Sequence, residues 1–522
     1  MDIKNIKNTR LSKGESGGEE SAAGRRMRKT KPDIRRMRTM AVCIILTIAA
    51  AAVSLSIYLK LRWDVDSSSL EAGTSSLPIG YLLLISAASA LSLLLGLWFF
   101  LKRNEKKLFS APKNITIIMS AIVLAAIFSL PMTMLSGYFN AMLLAVLLSA
   151  LLVKRRSAYS VAFVCAAIGG IMAFSPVYMS GTGEYVVDAW IPLGIMLAEF
   201  IGGVIAVYSL KKNYGRMAPI FSGIAGGAAS SIIFMCVQAT AEMSFQAVII
   251  PMLWLLGDGI LCGIIATGLM PIFEIVFDIA TDARLNELMN NNNPLIKRLM
   301  IEAPGTYHHS MLVSALAESA AETIGADALL CKAAGYYHDV GKLRSPMHFI
   351  ENQRGKNIHD TLPPLESAER IIAHRKDGVT LLNKYKLPSD VIRICSEHHG
   401  DSTVIYFYNK ALQQAAEGEV INEADFKYKS SKPSSKESGI VMLADCCEAA
   451  VRSIKNPTSD NIAQKVSDVI AGIWLKRDGQ LSESTLTARD VKTIETSFIN
   501  TLTAQYHERV EYPRLEDIDN AK

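Results

Sequence analysis

The sequence predicts an all-α protein, a multi-span helical membrane bundle followed by a cytoplasmic domain that is itself all helical. Three observations carry that prediction. Mean hydropathy is +0.24 over 522 residues, with 50% apolar and 20% charged residues, which does not fit a soluble chain. Nearly all of that hydropathy lies before about residue 278, where apolar runs of spanning length succeed one another. All nine histidines (308, 309, 338, 348, 359, 374, 398, 399 and 507) lie after it. The same composition excludes a disordered or collagen-like chain. Eight cysteines form no secreted framework: Cys43, Cys165, Cys236 and Cys262 sit in apolar runs, and Cys446 and Cys447 are adjacent. Reduced thiols in a cytosol-facing domain are the better reading.

Residues 1–39 form a basic cytoplasmic tail, with twelve Lys/Arg against five Asp/Glu. Its cluster from Arg25 to Arg38 abuts the first apolar run. A nucleic-acid-binding block would look similar, but the position favours a flank that holds the first span by the positive-inside rule. No small-residue cleavage site follows residues 40–59, so an uncleaved anchor is expected. The transmembrane region, 40–272, continues with apolar runs near 79–101, 114–135, 138–153, 158–179, 188–210, 217–237 and 246–272, each measured against the roughly 17–25 residues of a span. Pro131 and Gly137 interrupt the pair 114–153. Lys102-Arg103 with Lys106-Lys107, Lys154-Arg155-Arg156, and Lys211-Lys212 with Arg216 follow every second run, while the connections 60–78, 180–187 and 238–245 are weakly charged or acidic. That alternation predicts about eight helices with both termini in the cytoplasm. Glu199 and Asp258 lie within spans, and Glu274 and Asp278 at the exit of the last one. They are candidates for a ligand site, although carboxylates near helix ends that simply face water are the preferred reading. Gly202-Gly203, Gly226-Gly227 and the Gly257-Asp258-Gly259 group predict close helix packing.

Residues 273–302 read as a polar helical stalk, ending in the run Asn290 to Asn293 and Pro294. From 303 to 515 apolar residues recur at helical spacing, as in Leu312, Leu316, Ala320 and Ile324, and no sustained alternation of period two appears. Residues 415–438 read as a polar excursion between helices, either a flexible loop or a basic lip for an anionic substrate. A polar tail, 516–522, closes the chain.

The informative residues are of the metal-binding kind. His309 follows a Pro304-Gly305 break; His338 and Asp339 are adjacent, with Lys342 three residues on; His374 precedes the pair His398-His399; and Asp445 starts another helix. Neighbouring side chains on a helix diverge by about 100°. An adjacent pair therefore serves two neighbouring metals more readily than one, and a carboxylate such as Asp339 can bridge them. Two divalent metals roughly 3.5–4 Å apart can clamp an in-line displacement at phosphorus. Five imidazoles with two carboxylates favour manganese or iron over calcium. A single His-Asp pair would be equally compatible with a helix cap, but the combined pattern on successive helices is much harder to reach by chance.

At these residues the sequence resembles the HD superfamily of metal-dependent phosphohydrolases, and within it the bacterial seven-transmembrane HD phosphodiesterases that hydrolyse cyclic di-AMP. The matching stretches are APGTYHHS (303–310), GYYHDVGK (335–342), FIENQ (349–353), IHDTLPPLESA (358–368), HRKDGV (374–379), EHHG (397–400), SKES (435–438), MLADCCEAAVR (442–452), DGQL (478–481) and YHERVEYP (506–513). The resemblance implies an HD phosphohydrolase domain over 303–515. It also implies two divalent metal ions, one held by His309, His338, Asp339 and Asp445, the other by Asp339, His374, His398 and His399. It leaves His308 as a supporting neighbour of His309, and lets His359 line or orient the site. Two departures are evident. The family carries a large extracellular domain after its first span where only 60–78 is available here, and YKSSKPSSKES (428–438) replaces a Pro-Gly-rich segment.

The reaction implied is hydrolysis of a cyclic dinucleotide, most simply cyclic di-AMP to pApA, by a hydroxide bridging the two metals. Asp339 and Lys342 are the catalytic candidates, with Lys342 either stabilising phosphoryl oxygens or serving as counter-ion of Asp339. Lys432, Lys436 and Arg452 are candidate phosphate contacts, for which a solvated face is an equal explanation. The expected partners are the cyclic dinucleotide and the lipid bilayer, with a homodimer left open and no nucleic-acid polymer. The alternatives are an HD hydrolase of another nucleotide (cyclic di-GMP or guanosine tetraphosphate) and a non-catalytic nucleotide-binding membrane receptor. The GYP signature of the cyclic di-GMP branch is absent, and an intact ligand set argues against a receptor.

Overall fold

A computed structural model describes residues 34–72, 79–105, 112–173, 178–179, 185–186, 190–210, 212–240, 245–353, 355–476 and 479–506. Most of the basic N-terminal cluster, parts of the connections 60–78, 180–187 and 238–245, and most of YHERVEYP lie outside the described residues. Extended structure among the described residues is confined to Tyr178–Met179 paired antiparallel with Tyr185–Val186, and to one bridge between Thr403 and Lys427. Everything else of regular structure is helical, as the composition requires.

Among the described residues the membrane half holds eight α-helices: α1 (Ile34–Ala72), α2 (Ile79–Asn104), α3 (Pro112–Leu135), α4 (Met142–Leu152), α5 (Arg155–Met172), α6 (Trp190–Ser209), α7 (Ala218–Thr240) and α8 (Phe245–Val276). Each of the eight apolar runs forms one. Six segments, within α1, α2, α3, α6, α7 with its preceding turn, and α8, have the length and hydropathy to cross a membrane. Helix α4 does not: its 11 residues reach about 16 Å at 1.5 Å per residue, against a hydrocarbon core of about 30 Å. The expectation of eight spans thus becomes eight helices, six of them of spanning length and hydropathy. Exposed side chains such as Leu84, Phe99, Phe163 and Leu253 form the outer, lipid-compatible face.

The short helix has a physical cause. After α3 the chain turns back, and Ala141 takes a left-handed conformation (φ 53°) at the start of α4. The free N–H groups of a helix start inside a bundle must be satisfied. Asp258 of α8 accepts from the Ala141 N–H at 2.7 Å, and Asn140 donates to Glu199 of α6. The two intramembrane carboxylates therefore do not face water at helix ends. Asp258 is 6% exposed and caps the broken backbone. Close packing by small residues is found where it was expected for Gly202 and Gly259: a Cβ on Gly202 would overlap Ser230, and one on Gly259 would overlap the Gly223 carbonyl of α7. Gly257 has nothing within 4 Å and takes no part.

Lys154 and Arg155 of one basic cluster and Arg216 of another lie on the face of the bundle that meets the histidine-rich half. Lys113, Lys154 and Arg155 line one cavity of about 560 Å³ together with Asp278, Asp282 and Asp390. Lys113 Nζ donates to the Asp278 carbonyl at 2.7 Å, and Arg156 pairs with Glu105 at 3.1 Å. At the exit of α8, Glu274 is buried against Arg216 (3.2 Å) and Thr281.

Beyond α8 come α9 (Asp282–Leu288), α10 (Pro294–Glu302), α11 (Pro304–Ile324), α12 (Ala328–Tyr337), α13 (Pro364–Lys384), α14 (Ser389–Glu397), α15 (Ile405–Gln414), α16 (Lys436–Arg452), α17 (Ser459–Ala471) and α18 (Ala488–Gln505). Their starts follow ordinary capping chemistry: Thr281, Asn293, Asp327, Ser435, Thr458 and Thr487 each accept a backbone N–H. One core unites α11, α12, α14, α16, α17 and α18 through residues such as Val313, Tyr337, Ile394, Leu443, Val466 and Phe498. The stalk is part of that core, for Leu285, Leu295, Ile296 and Leu299 are buried in it. A smaller cluster of Ala368, Phe407, Ala411 and Phe426 closes the side of α13. Residues 415–438, read as a polar excursion, contain this buried Phe426 and also buried Tyr428.

Candidate metal centre

Five segments each deliver one or two side chains to a single buried point. Pro304 starts α11, where its missing N–H costs nothing, and His309 follows one and a half turns later, 3% exposed. Helix α12 ends at His338, where Asp339 leaves helical geometry (φ −104°, ψ 11°) and the chain tightens into the 3₁₀ turn Val340–Arg344. That kink aims two adjacent side chains at one place, which a continuous helix would not allow. The turn packs so tightly on α13 that a Cβ on Gly341 would overlap the His374 carbonyl. His374 is midway along α13. His398 and His399 end α14, and Gly400 (φ 55°) takes the chain away. Asp445 lies in the middle of α16.

The groups His309, His338, Asp339, Asp445 and Asp339, His374, His398, His399 each keep one donor atom per residue within 4.8 Å of all the others. Asp339 belongs to both. Its Oδ2 lies 3.4 Å from His338 Nε2 and 3.6 Å from His309 Nε2, and its Oδ1 lies 3.3 Å from His374 Nε2 and 3.8 Å from His398 Nε2. Asp445 bridges in the same manner: Oδ1 is 3.0 Å from His309 Nε2, and Oδ2 is 3.8 Å from His399 Nδ1.

Four of these atoms, His338 Nε2, Asp339 Oδ1, His374 Nε2 and His398 Nε2, are buried with no hydrogen-bond partner. Each such orphan costs about 1–3 kcal/mol. Four of them facing one point fit cations that use those lone pairs, and imidazole with carboxylate is the donor set of a borderline transition metal. The far ring nitrogens are already engaged: His338 Nδ1, His374 Nδ1 and His398 Nδ1 face the carbonyls of Gly335, Ile371 and Cys395 at 2.8, 2.6 and 2.7 Å. Such bonds leave Nε2 bare towards the centre.

The electrostatics divide the imidazoles: against burial, Asp339 and Asp445 push His338 up to about 10, and Asp445 with Glu448 raises His309. Burial, with His338 and His374 nearby, pushes His398 down to about 3, and burial foremost, with His398 and His374 beside it, lowers His399 as well. These rings are therefore neutral ligands at physiological pH. Burial would raise Asp339, but Lys342 and His338 outweigh it and hold the carboxyl well below the usual range. Lys342 Nζ lies 2.6 Å from Asp339 Oδ2 and 2.8 Å from Glu351 Oε1. Of its two expected roles, this geometry is that of a counter-ion clamped between carboxylates.

Other expected site residues stand elsewhere. His308 is exposed, turned about 100° from His309 along α11, and does not support it. His359 faces the His348 carbonyl (2.8 Å) and packs on Phe407, in the smaller cluster. Lys436 pairs with Asp490 at the start of α18 (2.8 Å), because the first turn of α16 points that way. Arg452 reaches Glu448 (3.3 Å), one helical turn earlier. Lys432 is half-buried in the segment leading to α16.

Four residues not singled out in the sequence belong to the centre's surroundings. Glu448 faces His309 Nδ1; Glu351 holds Lys342; Glu397 accepts from Ser434 N–H (3.0 Å) and Ser438 Oγ (2.7 Å), tying the loop to α14; and Tyr428 lies against His399, ring centroids 4.3 Å apart. For Glu448 a signal existed, since it stands three residues after Asp445 and hence on the same helix face. The other three are brought in by tertiary packing.

Both halves of the chain are similar to known proteins. Residues 79–281 match the family model described as 7TM receptor with intracellular HD hydrolase, and residues 306–450 match that of the HD domain. The chain is 36% identical over 380 residues to the cyclic-di-AMP phosphodiesterase PgpH of Bacillus subtilis, covering 72% of this chain and 51% of that protein. It is 37% identical over 329 residues to PgpH of Listeria monocytogenes, covering 62% of this chain and 45% of that one. The solved HD domain of L. monocytogenes PgpH in complex with cyclic-di-AMP is 41% identical and covers 42% of this chain and 100% of that one, with a TM-score of 0.39. The chain spans about half the length of the curated relatives it matches.

Proposed function

We propose that the chain, whose residues 79–281 match the family of 7TM receptors with intracellular HD hydrolase and whose residues 306–450 match the HD domain, is a membrane-anchored, metal-dependent phosphodiesterase that hydrolyses cyclic di-AMP to linear pApA. The observation that carries the proposal is the convergence of seven ligand-type side chains, with four orphaned atoms among them, on one buried point. The choice of a cyclic dinucleotide, and of adenine, is supported by the two PgpH relatives.

In this reading His309, His338, Asp339 and Asp445 hold one divalent ion, and Asp339, His374, His398 and His399 hold the other. Manganese and iron suit the donors best. Bound by these residues, such ions would supply a lowered pKa for water and positive charge opposite the phosphoryl oxygens. The protein's part is positional. Three backbone carbonyls orient imidazoles, Lys342, itself held by Glu351, keeps Asp339 ionised and in place, and the burial of His338, His374 and His398 excludes bulk water. The His399 and Asp445 side chains are 19% and 12% exposed, against 0–3% for the other ligands, so the phosphodiester approaches across them. The basic clusters on the face of the bundle nearest the metal centre favour cytoplasmic N- and C-termini. In this reading the catalytic domain stands beside a cytosolic substrate.

The test is the full chain in detergent, loaded with manganese or iron and given cyclic di-AMP, cyclic di-GMP and guanosine tetraphosphate, with product analysis. Wild type should convert cyclic di-AMP to pApA. The double variant His338→Ala/Asp339→Ala should lose metal and hydrolysis while still inserting into membranes. Full hydrolysis by that variant would refute the assignment.

A further inference from the structure

The two metal positions are not built alike. His338, His374 and His398 each face, through Nδ1, the carbonyl three residues back in their own segment. His309 sits inside α11 rather than at its end. Its Nδ1 instead faces a charged carboxylate from another helix, Glu448 of α16. Glu448 is 0% exposed and lies one turn beyond Asp445, whose Oδ1 is 3.0 Å from His309 Nε2. One face of α16 thus grips both nitrogens of a single imidazole. Arg452, one turn further, lies 3.3 Å from Glu448 Oε2, with its own side chain 40% exposed at the helix surface.

A salt bridge within α16 would be the ordinary explanation of Glu448 and Arg452. It does not account for a carboxylate with no exposure at all, because a surface pair gains little and burying a charge costs several kcal/mol unless it is well bonded. The interaction that requires burial is the one with His309. A carboxylate behind a metal-bound imidazole fixes its tautomer, locks its plane and makes the ring a stronger donor, and its loss typically weakens metal binding about 10–100-fold.

We propose that Glu448, held by Arg452, is the positioning residue of the first metal position (His309, His338, Asp339, Asp445) and makes it the tighter of the two. This rests on the metal centre of the proposed function and adds an order of affinity to it. The second position, with three imidazoles oriented only by neutral carbonyls or by Tyr428, binds more weakly and exchanges its ion sooner.

The experiment is manganese titration of the full chain in detergent, followed by the electron paramagnetic resonance of free manganese and by chelator competition. The variants are Glu448→Gln, Glu448→Asp and Arg452→Gln, each also in a His374→Ala background that leaves the first position to be read alone. Wild type is expected to show two classes of site. Glu448→Gln should weaken the tighter class about 10–100-fold and leave the other unchanged, with Glu448→Asp recovering part of the loss. Equal affinity of Glu448→Gln and wild type in the His374→Ala background would overturn the inference while leaving the proposed function standing. Wild type that takes up no manganese would overturn both. Should Glu448→Gln fail to fold, Arg452→Gln decides: its site is at the surface, a selective weakening of the tight class supports the inference, and no change overturns it.

Discussion

Replacing Lys342 by methionine separates its two readings. Lys342 Nζ stands 2.6 Å from Asp339 Oδ2 and 2.8 Å from Glu351 Oε1. At an effective dielectric of about 20, each pair attracts by about 6 kcal/mol, much of it cancelled by the desolvation of three buried charges. What the substitution exposes is the residue of that balance: two buried carboxylates without their cation, a loss of about 3–5 kcal/mol. Thermal unfolding of the metal-free chain in detergent should show the whole penalty. Metal-loaded protein should show less, since the ions then balance Asp339. Adding Glu351→Gln removes one of the stranded charges and should recover part of the stability, so the two substitutions are non-additive. Hydrolysis by loaded Lys342→Met is expected to stay within about tenfold of wild type, a barrier change of about 1.4 kcal/mol. Unchanged stability with hydrolysis down a thousandfold or more would refute the counter-ion argument and give Lys342 a direct hold on phosphoryl oxygens.

Two further outcomes follow from the same geometry. Tyr428 is buried with its ring 4.3 Å from that of His399 and 6.0 Å from that of His374. Tyr428→Ala should therefore cost about 3–5 kcal/mol and loosen the second metal position, whereas Tyr428→Phe should be nearly neutral in melting temperature and manganese affinity; an alanine variant with wild-type values would contradict this. Glu351 is held below its ordinary 4.5, because Lys342 outweighs the upward push of burial. A depressed carboxylate contributes stability that is present above the unfolded value and lost as pH falls through the folded one. Metal-free protein should accordingly lose stability below about pH 4.5, and Glu351→Gln should flatten that acid limb in a pH series of unfolding midpoints.

How much of this was legible beforehand depended on whether the signal was local. Apolar runs located the eight helices described in the membrane half, since run length is a property of short stretches. The run 138–153 was already short for a span; what the sequence could not reveal is the cap on the turn at Ala141, which comes from Asp258 of α8, 117 residues away. The seven ligand-type residues were legible because each sits in a compact motif on its own helix. Contacts made by long polar side chains were not: Lys436 and Arg452 lie in matching motifs, yet their partners, Asp490 and Glu448, were set by which way α16 faces. The stalk misled because its asparagines are conspicuous, while buried Leu295, Ile296 and Leu299 stand beside a lysine and an arginine.

That buried stalk bears on how the membrane half and the metal centre are joined. A polar spacer would let the two halves move independently. Here the exit of α8 is tied to the ligand-bearing segments themselves. The Asp278 carboxylate accepts from the Ser389 N–H at the start of α14, whose other end carries His398 and His399. The Tyr337 hydroxyl donates to the Leu288 carbonyl of α9, immediately before His338 and Asp339. Arg284 adds a third tie, its guanidinium donating to the carbonyls of Glu274, Ile279 and Lys386. A nine-residue helix such as α14 is about 13 Å of rigid rod. Displacement of its first residue is therefore carried to the two histidines at its end, and four of the seven ligands lie one short element away from the membrane exit.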